Sequence, residues 1–115
     1  MEKMPAIFIG HGSPMNAIEE NEFTENWKII AKSIPTPKAI VSISAHWFTK
    51  GTKIMNEESP KTIYDMYGFP KELYEIVYGC PGNPALASEC KQNMSTDSEY
   101  DNTWGIDHGT WSVLV

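Results

Sequence analysis

The strongest signal for the fold class lies in the stretches AIFIGHG at residues 6–12 and AIVSISAH at residues 39–46. In each, a short apolar run is followed within two residues by a histidine, and such continuous runs are typical of strands buried on both faces of a parallel sheet. Apolar residues at helical spacing lie between them and predict a helix over residues 23–34, which ends before Pro35. A strand, a helix and a strand in this order form a βαβ unit, whose crossover is expected to be right-handed.

The rest of the chain predicts smaller elements around this unit. A weaker strand is expected at residues 52–55. A helix is expected to begin at Pro70, because proline suits the first turn of a helix. Another is expected from Asn83 to Gln92, because an asparagine cap followed by proline is typical of a helix start. Residues 95–102 are polar and acidic and predict a surface turn. We therefore expect an α/β protein with three layers, in which helices flank a central, mostly parallel sheet.

The composition is that of one ordinary globular domain. The chain has 115 residues, and its hydrophobic (41%) and charged (21%) fractions exclude wholesale disorder. Its net charge of −6 argues against a nucleic-acid partner. The N-terminal sequence MEKMP shows no signal-peptide pattern, and no apolar run approaches the length of a membrane helix. We expect a cytoplasmic protein in which Cys80 and Cys90 are reduced thiols, with a disulfide between them as the alternative.

The C-terminus is unusual because it ends on the apolar sequence SVLV at residues 112–115. Terminal residues usually fray into water, so this ending predicts that the chain is truncated before its next buried element. The alternative is a domain whose last helix simply docks on the rest. In a truncated chain an apolar face is exposed, and we then expect self-association or binding of a complementary C-terminal half.

All three histidines lie in turns that suit a binding site. His11 and His46 each follow a predicted strand, and ligands bind outside the carboxyl ends of the strands in open α/β sheets. These two side chains are therefore expected to converge, and neutral imidazole is a common ligand for zinc and iron. His108 lies beside Asp107 in a glycine-flanked turn. The alternative is that each histidine is an ordinary hydrogen-bonded polar group, and pattern alone does not decide between the two.

Other candidate sites are weaker. The sequence GHGS at residues 10–13 lacks the frame of a phosphate-binding loop, and Ser13 lacks the GxSxG elbow of a hydrolase nucleophile. Six aromatic side chains either line a pocket for a planar substrate or belong to the core. They are Trp47, Phe48, Tyr64, Tyr67, Phe69 and Trp104.

Three ordered motifs resemble those of one enzyme family. The sequences GHGSPM at residues 10–15, SAHW at residues 44–47 and GIDHGTW at residues 105–111 resemble the DODA-type extradiol aromatic-ring-opening dioxygenases. These belong to the class III extradiol group and are similar to the β subunit of protocatechuate 4,5-dioxygenase. The intervening sequences PKTIYD at residues 60–65 and GFPKELY at residues 68–74 match as well. The resemblance covers essentially the whole chain and implies an α/β fold and an extradiol dioxygenase activity.

The resemblance also implies an active site. It implies one metal ion, Fe(2+) in most members and Zn(2+) in some, with His11 and His46 as metal ligands. His108 is then the catalytic residue, hydrogen bonded to the substrate or to oxygen rather than bound to the metal. The implied reaction inserts O2 into a catecholic ring, such as that of a dihydroxyphenylalanine-like molecule, next to the diol. The partners are then a small catechol and O2, for which the metal keeps open positions.

Members of this family are much longer than this chain, and their third metal ligand lies in the part that is absent here. A carboxylate such as Asp65 or Asp107 is a candidate substitute, but no pattern places either at the metal. Residues 1–115 are therefore expected to be the N-terminal part of a single catalytic domain, incomplete as an enzyme. The alternatives are a non-catalytic metal-binding or interaction fragment of the same fold and a zinc-dependent hydrolase, which turns over without oxygen.

Overall fold

The computed structural model describes residues 3–115, in which short helices and one small sheet are joined by long loops. Met1 and Glu2 lie outside the described residues. They open the sequence MEKMP, which shows no signal-peptide pattern. Within residues 3–115, none of the helices combines the length and the apolar character that crossing a membrane requires. The elements in chain order are a first 3₁₀ helix (Pro14–Ala17), α1 (Glu22–Ser33), β1 (Thr52–Ile54), a second 3₁₀ helix (Lys71–Glu75), α2 (Pro84–Asn93), β2 (Ser98–Tyr100) and α3 (His108–Leu114).

The two strands form a parallel sheet, with Thr52 of β1 opposite Ser98 of β2. Because α2 lies between them in the chain, the unit has the strand–helix–strand order of α/β proteins. A separate parallel bridge joins Thr62 to Ile106, where the N–H of Ile63 donates to the carbonyl of Ile106 at 2.9 Å. The predicted α/β class with parallel pairing is confirmed.

The two long apolar runs form no ladder, which corrects the strands predicted for them. Residues 6–9 and 39–45 have no regular secondary structure and no backbone hydrogen bond to a neighbouring strand within the described chain. Apolar pattern reports a preference for burial, whereas a strand also needs a neighbour that satisfies its N–H and C=O groups. Neither run has such a neighbour here, and Phe8 and Ile43 are almost fully exposed (101% and 93%). The parallel pairing therefore falls at β1 and β2 instead.

Two of the predicted helices are present, and their caps explain where they begin. The side chain of Asn21 accepts hydrogen bonds from the N–H groups of Phe23 and Thr24, both at 3.0 Å. The N–H of Asn21 donates in turn to the Thr24 hydroxyl at 2.9 Å, so α1 begins with a capping box. The side chain of Asn83 accepts from the N–H of Leu86 at 3.0 Å and caps α2 in the same manner.

Two other segments differ from the prediction in detail. The helix expected at Pro70 is the short second 3₁₀ helix, which ends before the β-branched residues Ile76 and Val77. The polar segment at residues 95–102 contains β2 rather than only a turn, because polar contacts hold this strand beside β1. An ion pair joins Lys53 to Glu99 across the two strands. The weaker strand predicted at residues 52–55 is β1, and this prediction is confirmed.

The core lies where α3 packs against the first 3₁₀ helix, and its buried members are Leu73, Ile106 and Trp111. The indole N–H of Trp111 donates to the carbonyl of Ile63 at 2.9 Å, so the largest buried side chain also satisfies a polar backbone group. The last helix is therefore docked on the rest of the chain.

Cys80 packs at the edge of this core, and both cysteines are free thiols, as predicted.

The six aromatic side chains considered as pocket residues fall into three groups by burial. Tyr64 and Phe69 pack against the buried core cluster, which confirms the core interpretation for these two. Phe48 and Tyr67 are almost fully exposed, so they belong neither to the core nor to an enclosed pocket of the described chain. Trp47 and Trp104 are half-buried, and the indole N–H of Trp104 takes part in the site described next.

Candidate metal centre

The three histidines of the chain meet at one point. The Nε2 atoms of His11 and His46 lie 2.7 Å apart, and one ring nitrogen from each histidine lies within 4.8 Å of the others. The ring centroid of His108 is 5.0 Å from that of His11 and 4.2 Å from that of His46. The structure therefore brings together all three histidines that the sequence singled out.

A short loop and a helix cap hold His11. Gly12 has a φ of +65°, which turns the chain immediately after the histidine. The hydroxyl of Ser13 then accepts from the N–H of Met15 at 3.2 Å and caps the first 3₁₀ helix, so Ser13 has a structural role. The side-chain amide of Asn16 donates to the carbonyl of His11 at 2.8 Å and closes the loop.

Asn16 also ties this loop to α1. Its side-chain oxygen accepts a hydrogen bond from the amide of Asn21 at 2.7 Å, and Asn21 is the N-cap of α1. The helix start and the carbonyl of His11 are therefore joined through one amide side chain. Asn16 was not predicted as a site residue, because nothing local distinguishes this asparagine from an ordinary turn residue.

His46 packs against the first turn of α3. The hydroxyl of Ser44 accepts from the N–H of His46 at 3.2 Å. The hydroxyls of Ser42 and Thr110 lie 2.8 Å apart and join the same segment to α3. A β-carbon at Gly109 would lie 2.8 Å from Cδ2 of His46, so only glycine permits this approach. His46 itself is exposed to solvent on its other side.

Asp65 lies against His108 at the start of α3. Its Oδ1 atom accepts a hydrogen bond from the backbone N–H of His108 at 2.9 Å. The ring Nδ1 of His108 lies 2.8 Å from the same oxygen, within ion-pair distance, although the ring N–H is not aligned for a straight hydrogen bond. Burial alone would raise the pKa of Asp65, but the backbone N–H and the ring of His108 outweigh it and lower this pKa. Asp65 is therefore held as a carboxylate.

The site favours a neutral His11. Burial lowers the pKa of His11, and the nearby rings of His108 and His46 lower it further. The Nδ1 atom of His11 is buried without a hydrogen-bond partner in the described chain, while Nε2 faces His46. Neutral imidazole is the form that binds metals, so this electrostatic environment suits a ligand.

Asp107 is a buried carboxylate beside the histidines, with an exposed fraction of 1%. Its Oδ2 atom accepts from the indole N–H of Trp104 at 2.8 Å, and its Oδ1 atom has no partner among the described residues. The group of metal-ligating side chains that converge within residues 3–115 consists of the three histidines and includes neither Asp107 nor Asp65. The structure therefore does not support either carboxylate as the substitute ligand.

The donor set fits the metal that the motifs imply. Three imidazole nitrogens converge, and nitrogen ligands suit both Fe(2+) and Zn(2+). The motif resemblance implied two ligands, His11 and His46, with His108 nearby. The ring centroids of His11 and His46 are 4.9 Å apart. The ring centroid of His108 lies 5.0 Å from the first and 4.2 Å from the second, so the three rings are about equally close to one another. His108 is therefore a third candidate ligand as well as the predicted catalytic residue.

Comparison with known proteins adds independent evidence. Residues 5–114 match a family described as the catalytic LigB subunit of aromatic ring-opening dioxygenase. The chain is 47% identical to a 4,5-DOPA dioxygenase extradiol of Escherichia coli (strain K12), over 98% of this chain and 42% of that protein. It is 40% identical to the protein of the same name from Beta vulgaris, over 95% of this chain and 43% of the relative. For the protein of the same name from Mirabilis jalapa, the identity is 33% and the shares are 94% and 43%.

The chain spans less than half the length of these curated relatives. All three histidine motifs lie inside the residues that match the family. The family match, the relatives and the convergence of the histidines thus agree with the motif resemblance, and the chain belongs to the LigB family of aromatic ring-opening dioxygenases.

Proposed function

We propose that this chain carries the histidine part of the active site of an extradiol dioxygenase, which inserts O2 into a catecholic ring next to the diol. The observation that carries the proposal is the meeting of His11, His46 and His108 in a chain of the LigB family. The name of the relatives, 4,5-DOPA dioxygenase extradiol, supports a dihydroxyphenylalanine-like catechol as the substrate.

In this proposal His11 and His46 hold the metal, which is Fe(2+), with Zn(2+) as the alternative. Two observations support these roles. The closeness of their Nε2 atoms brings two donor nitrogens to one place. The lowered pKa of His11 favours the neutral imidazole that binds a metal. When bound, the metal supplies a Lewis acid with open positions that activates the catechol and O2 toward each other.

His108 is the proposed catalytic residue. Its ring is buried beside the other two histidines, and Asp65 fixes the start of α3 from which it projects. A neutral ring nitrogen at this place accepts a hydrogen bond from a catechol hydroxyl and takes up its proton. Because the ring is held by packing and by the carboxylate, the hydrogen bond also orients the catechol.

We further propose that residues 1–115 are the N-terminal part of one catalytic domain, and that activity requires the rest of that domain. The chain covers 42% of the relative from Escherichia coli and 43% of the relative from Beta vulgaris. Apolar side chains such as Phe8 and Ile43 are exposed, which supports a complementary C-terminal half as the partner, with self-association as the alternative.

The free thiols of Cys80 and Cys90 support a reducing compartment and therefore the cytoplasm.

Metal stoichiometry tests the site first. The purified chain is reconstituted without oxygen with Fe(2+) or Zn(2+), beside the variants His11→Ala and His46→Ala. Phe23→Ala, which also removes a ring but from an exposed position on α1, is the control. We expect about one metal per chain in the wild type and the control, and loss of the metal in both histidine variants. Equal metal content in all four proteins would overturn the proposed site.

Oxygen dependence tests the reaction. The Fe(2+)-loaded chain is mixed with a catechol and then with O2, with and without a polypeptide that corresponds to the rest of a LigB domain. We expect a yellow ring-opened product only when both halves and O2 are present. Bound metal without O2 uptake by the joined halves would identify a non-catalytic metal-binding fragment. Turnover of a hydrolysable substrate by the Zn(2+)-loaded chain without O2 would identify a zinc-dependent hydrolase.

A further inference from the structure

We propose that Asp65 is a positioning residue that holds the ring of His108 as the tautomer protonated on Nδ1, so that Nε2 offers its lone pair to the site. This inference deepens the proposed function, because it rests on His108 as part of that site. Neither the motif resemblance nor the comparisons assign a role to Asp65. The inference rests on the position of one carboxylate oxygen between the backbone and the ring of the same histidine.

The backbone fixes that oxygen. Oδ1 of Asp65 accepts from the N–H of His108 at 2.9 Å, across a separation of 43 residues in the chain. The start of α3 is itself secured, because the hydroxyl of Ser112 donates to the carbonyl of His108 within the helix. The carboxylate oxygen therefore has a defined place relative to the first residue of α3, before the ring of His108 is considered.

The ring must adapt to this oxygen. Nδ1 of His108 lies 2.8 Å from Oδ1 of Asp65, and the ring is 7% exposed, so water does not separate the two atoms. An unprotonated Nδ1 would place an electron-rich nitrogen 2.8 Å from a negatively charged oxygen, which is repulsive. A proton on Nδ1 makes the same contact attractive, because the partial positive charge of the N–H then faces the carboxylate. Of the two neutral tautomers, only the one protonated on Nδ1 suits the contact.

The consequence lies at the other ring nitrogen. A neutral histidine that carries its proton on Nδ1 has a free lone pair on Nε2. This lone pair is what a ligand needs to bind a metal and what a base needs to accept a catechol proton. A histidine side chain in water prefers the opposite tautomer, with the proton on Nε2. Asp65 therefore reverses the intrinsic preference of the ring and prepares His108 for either role.

The experiment reads the tautomer directly in the metal-free chain at neutral pH, without substrate. The double variant His11→Gln and His46→Gln leaves His108 as the single histidine of the chain. With ¹⁵N-labelled histidine, long-range ¹H–¹⁵N spectra distinguish a protonated ring nitrogen from an unprotonated one. We expect the chemical shifts of His108 to show a protonated Nδ1 and an unprotonated Nε2. The wild-type spectrum should contain the same signals.

The carboxylate is then removed in the same background. In Asp65→Ala we expect the population to move to the tautomer protonated on Nε2, and in Asp65→Asn to a mixture, because an amide oxygen is a weaker acceptor. Asp97→Ala removes an exposed carboxylate elsewhere and should leave the spectrum unchanged.

A His108 signal protonated on Nε2 in the double variant would overturn the proposal, even where Asp65→Ala fails to fold. An unchanged tautomer in a folded Asp65→Ala chain would overturn it as well. Neither result bears on oxygen-dependent turnover, so a failure of the proposed function is seen separately in the catechol assay.

Discussion

Gly109 and His46 lie so close that a β-carbon on the glycine would be 2.8 Å from Cδ2 of the imidazole ring. The same β-carbon would meet the hydroxyl of Ser44 at 2.8 Å and Oδ1 of Asp107 at 3.2 Å. Real β-carbons do not approach ring and hydroxyl atoms this closely, so a side chain at position 109 must push the segment that carries His46 away. Through this contact, the first turn of α3 sets the position of a proposed metal ligand.

Gly109→Ala should therefore weaken metal binding by roughly tenfold or more, the size of effect that follows when the support of a ligand is disturbed. Competition with a chelator measures the affinity. Gly79→Ala is the matched control, because a β-carbon there meets nothing within 4 Å. An alanine at position 109 that left the metal affinity equal to that of the control would contradict the close packing. The fold should survive, because alanine favours a helix by about 1 kcal/mol relative to glycine.

The stability of the metal-free chain should depend on pH in two windows. The pKa of His11 is lowered in the folded chain, so the unfolded chain takes up a proton near its ordinary value of about 6.5 while the folded chain does not. Stability should therefore fall as the pH drops below about 6.5. The pKa of Asp65 is also lowered in the folded chain. Its contribution to stability is present above the pKa of an unfolded aspartate, about 3.9, and is lost as the pH falls through the folded value.

Thermal unfolding of the metal-free chain at a series of pH values checks this prediction. In His11→Gln, the loss of stability below about pH 6.5 should disappear and the loss at lower pH should remain. In Asp65→Asn, the loss below about pH 6.5 should remain and the loss at lower pH should disappear. Equal slopes in the wild type and His11→Gln below about pH 6.5 would show that His11 titrates alike in the folded and unfolded chains.

Local signals in the sequence were sufficient for some elements and not for others. The caps at Asn21 and Asn83 act within three residues, so the starts of α1 and α2 could be predicted. A strand depends on a partner elsewhere in the chain, and the runs at residues 6–9 and 39–45 show that apolar pattern alone does not supply one.

The site shows the same division. The meeting of His11 with His46 could be expected from two similar turns that each follow an apolar run, even though neither run forms a ladder. The contact between Asp65 and His108 could not be expected, because it joins a loop to a helix start across 43 residues without a local signature. Contacts of this kind follow from the packing of α3 and are visible only in the folded chain.

Asn16 should matter to both stability and metal binding, since its amide joins the carbonyl of His11 to the side chain of Asn21. Asn16→Ala removes two part-buried hydrogen bonds and leaves the His11 carbonyl unsatisfied, so we expect the free energy of unfolding to fall by about 1–3 kcal/mol. Metal affinity should fall with it, because the His11 loop loses its tie to α1. Asn93→Ala, which removes one exposed hydrogen bond from the side-chain amide to the carbonyl of Glu89, is the control.

Denaturant unfolding of the metal-free chain and chelator competition of the loaded chain measure the two effects separately. A loss of stability in Asn16→Ala with unchanged metal affinity would show that the His11 loop keeps its shape without the tie to α1. A result equal to that of Asn93→Ala in both measurements would show that the two part-buried hydrogen bonds contribute no more than an exposed one.

The exposed apolar runs should make the chain self-associate when it is purified alone. Phe8 and Ile43 expose 101% and 93% of their surface, and large exposed apolar side chains associate in water. Light scattering at increasing concentration should show growth of oligomers, and Phe8→Ser with Ile43→Ser should reduce it. Tyr67→Ser removes an equally exposed ring outside the two runs and should change little. A wild-type chain that stayed a single monomeric species at high concentration would show that these runs do not drive association.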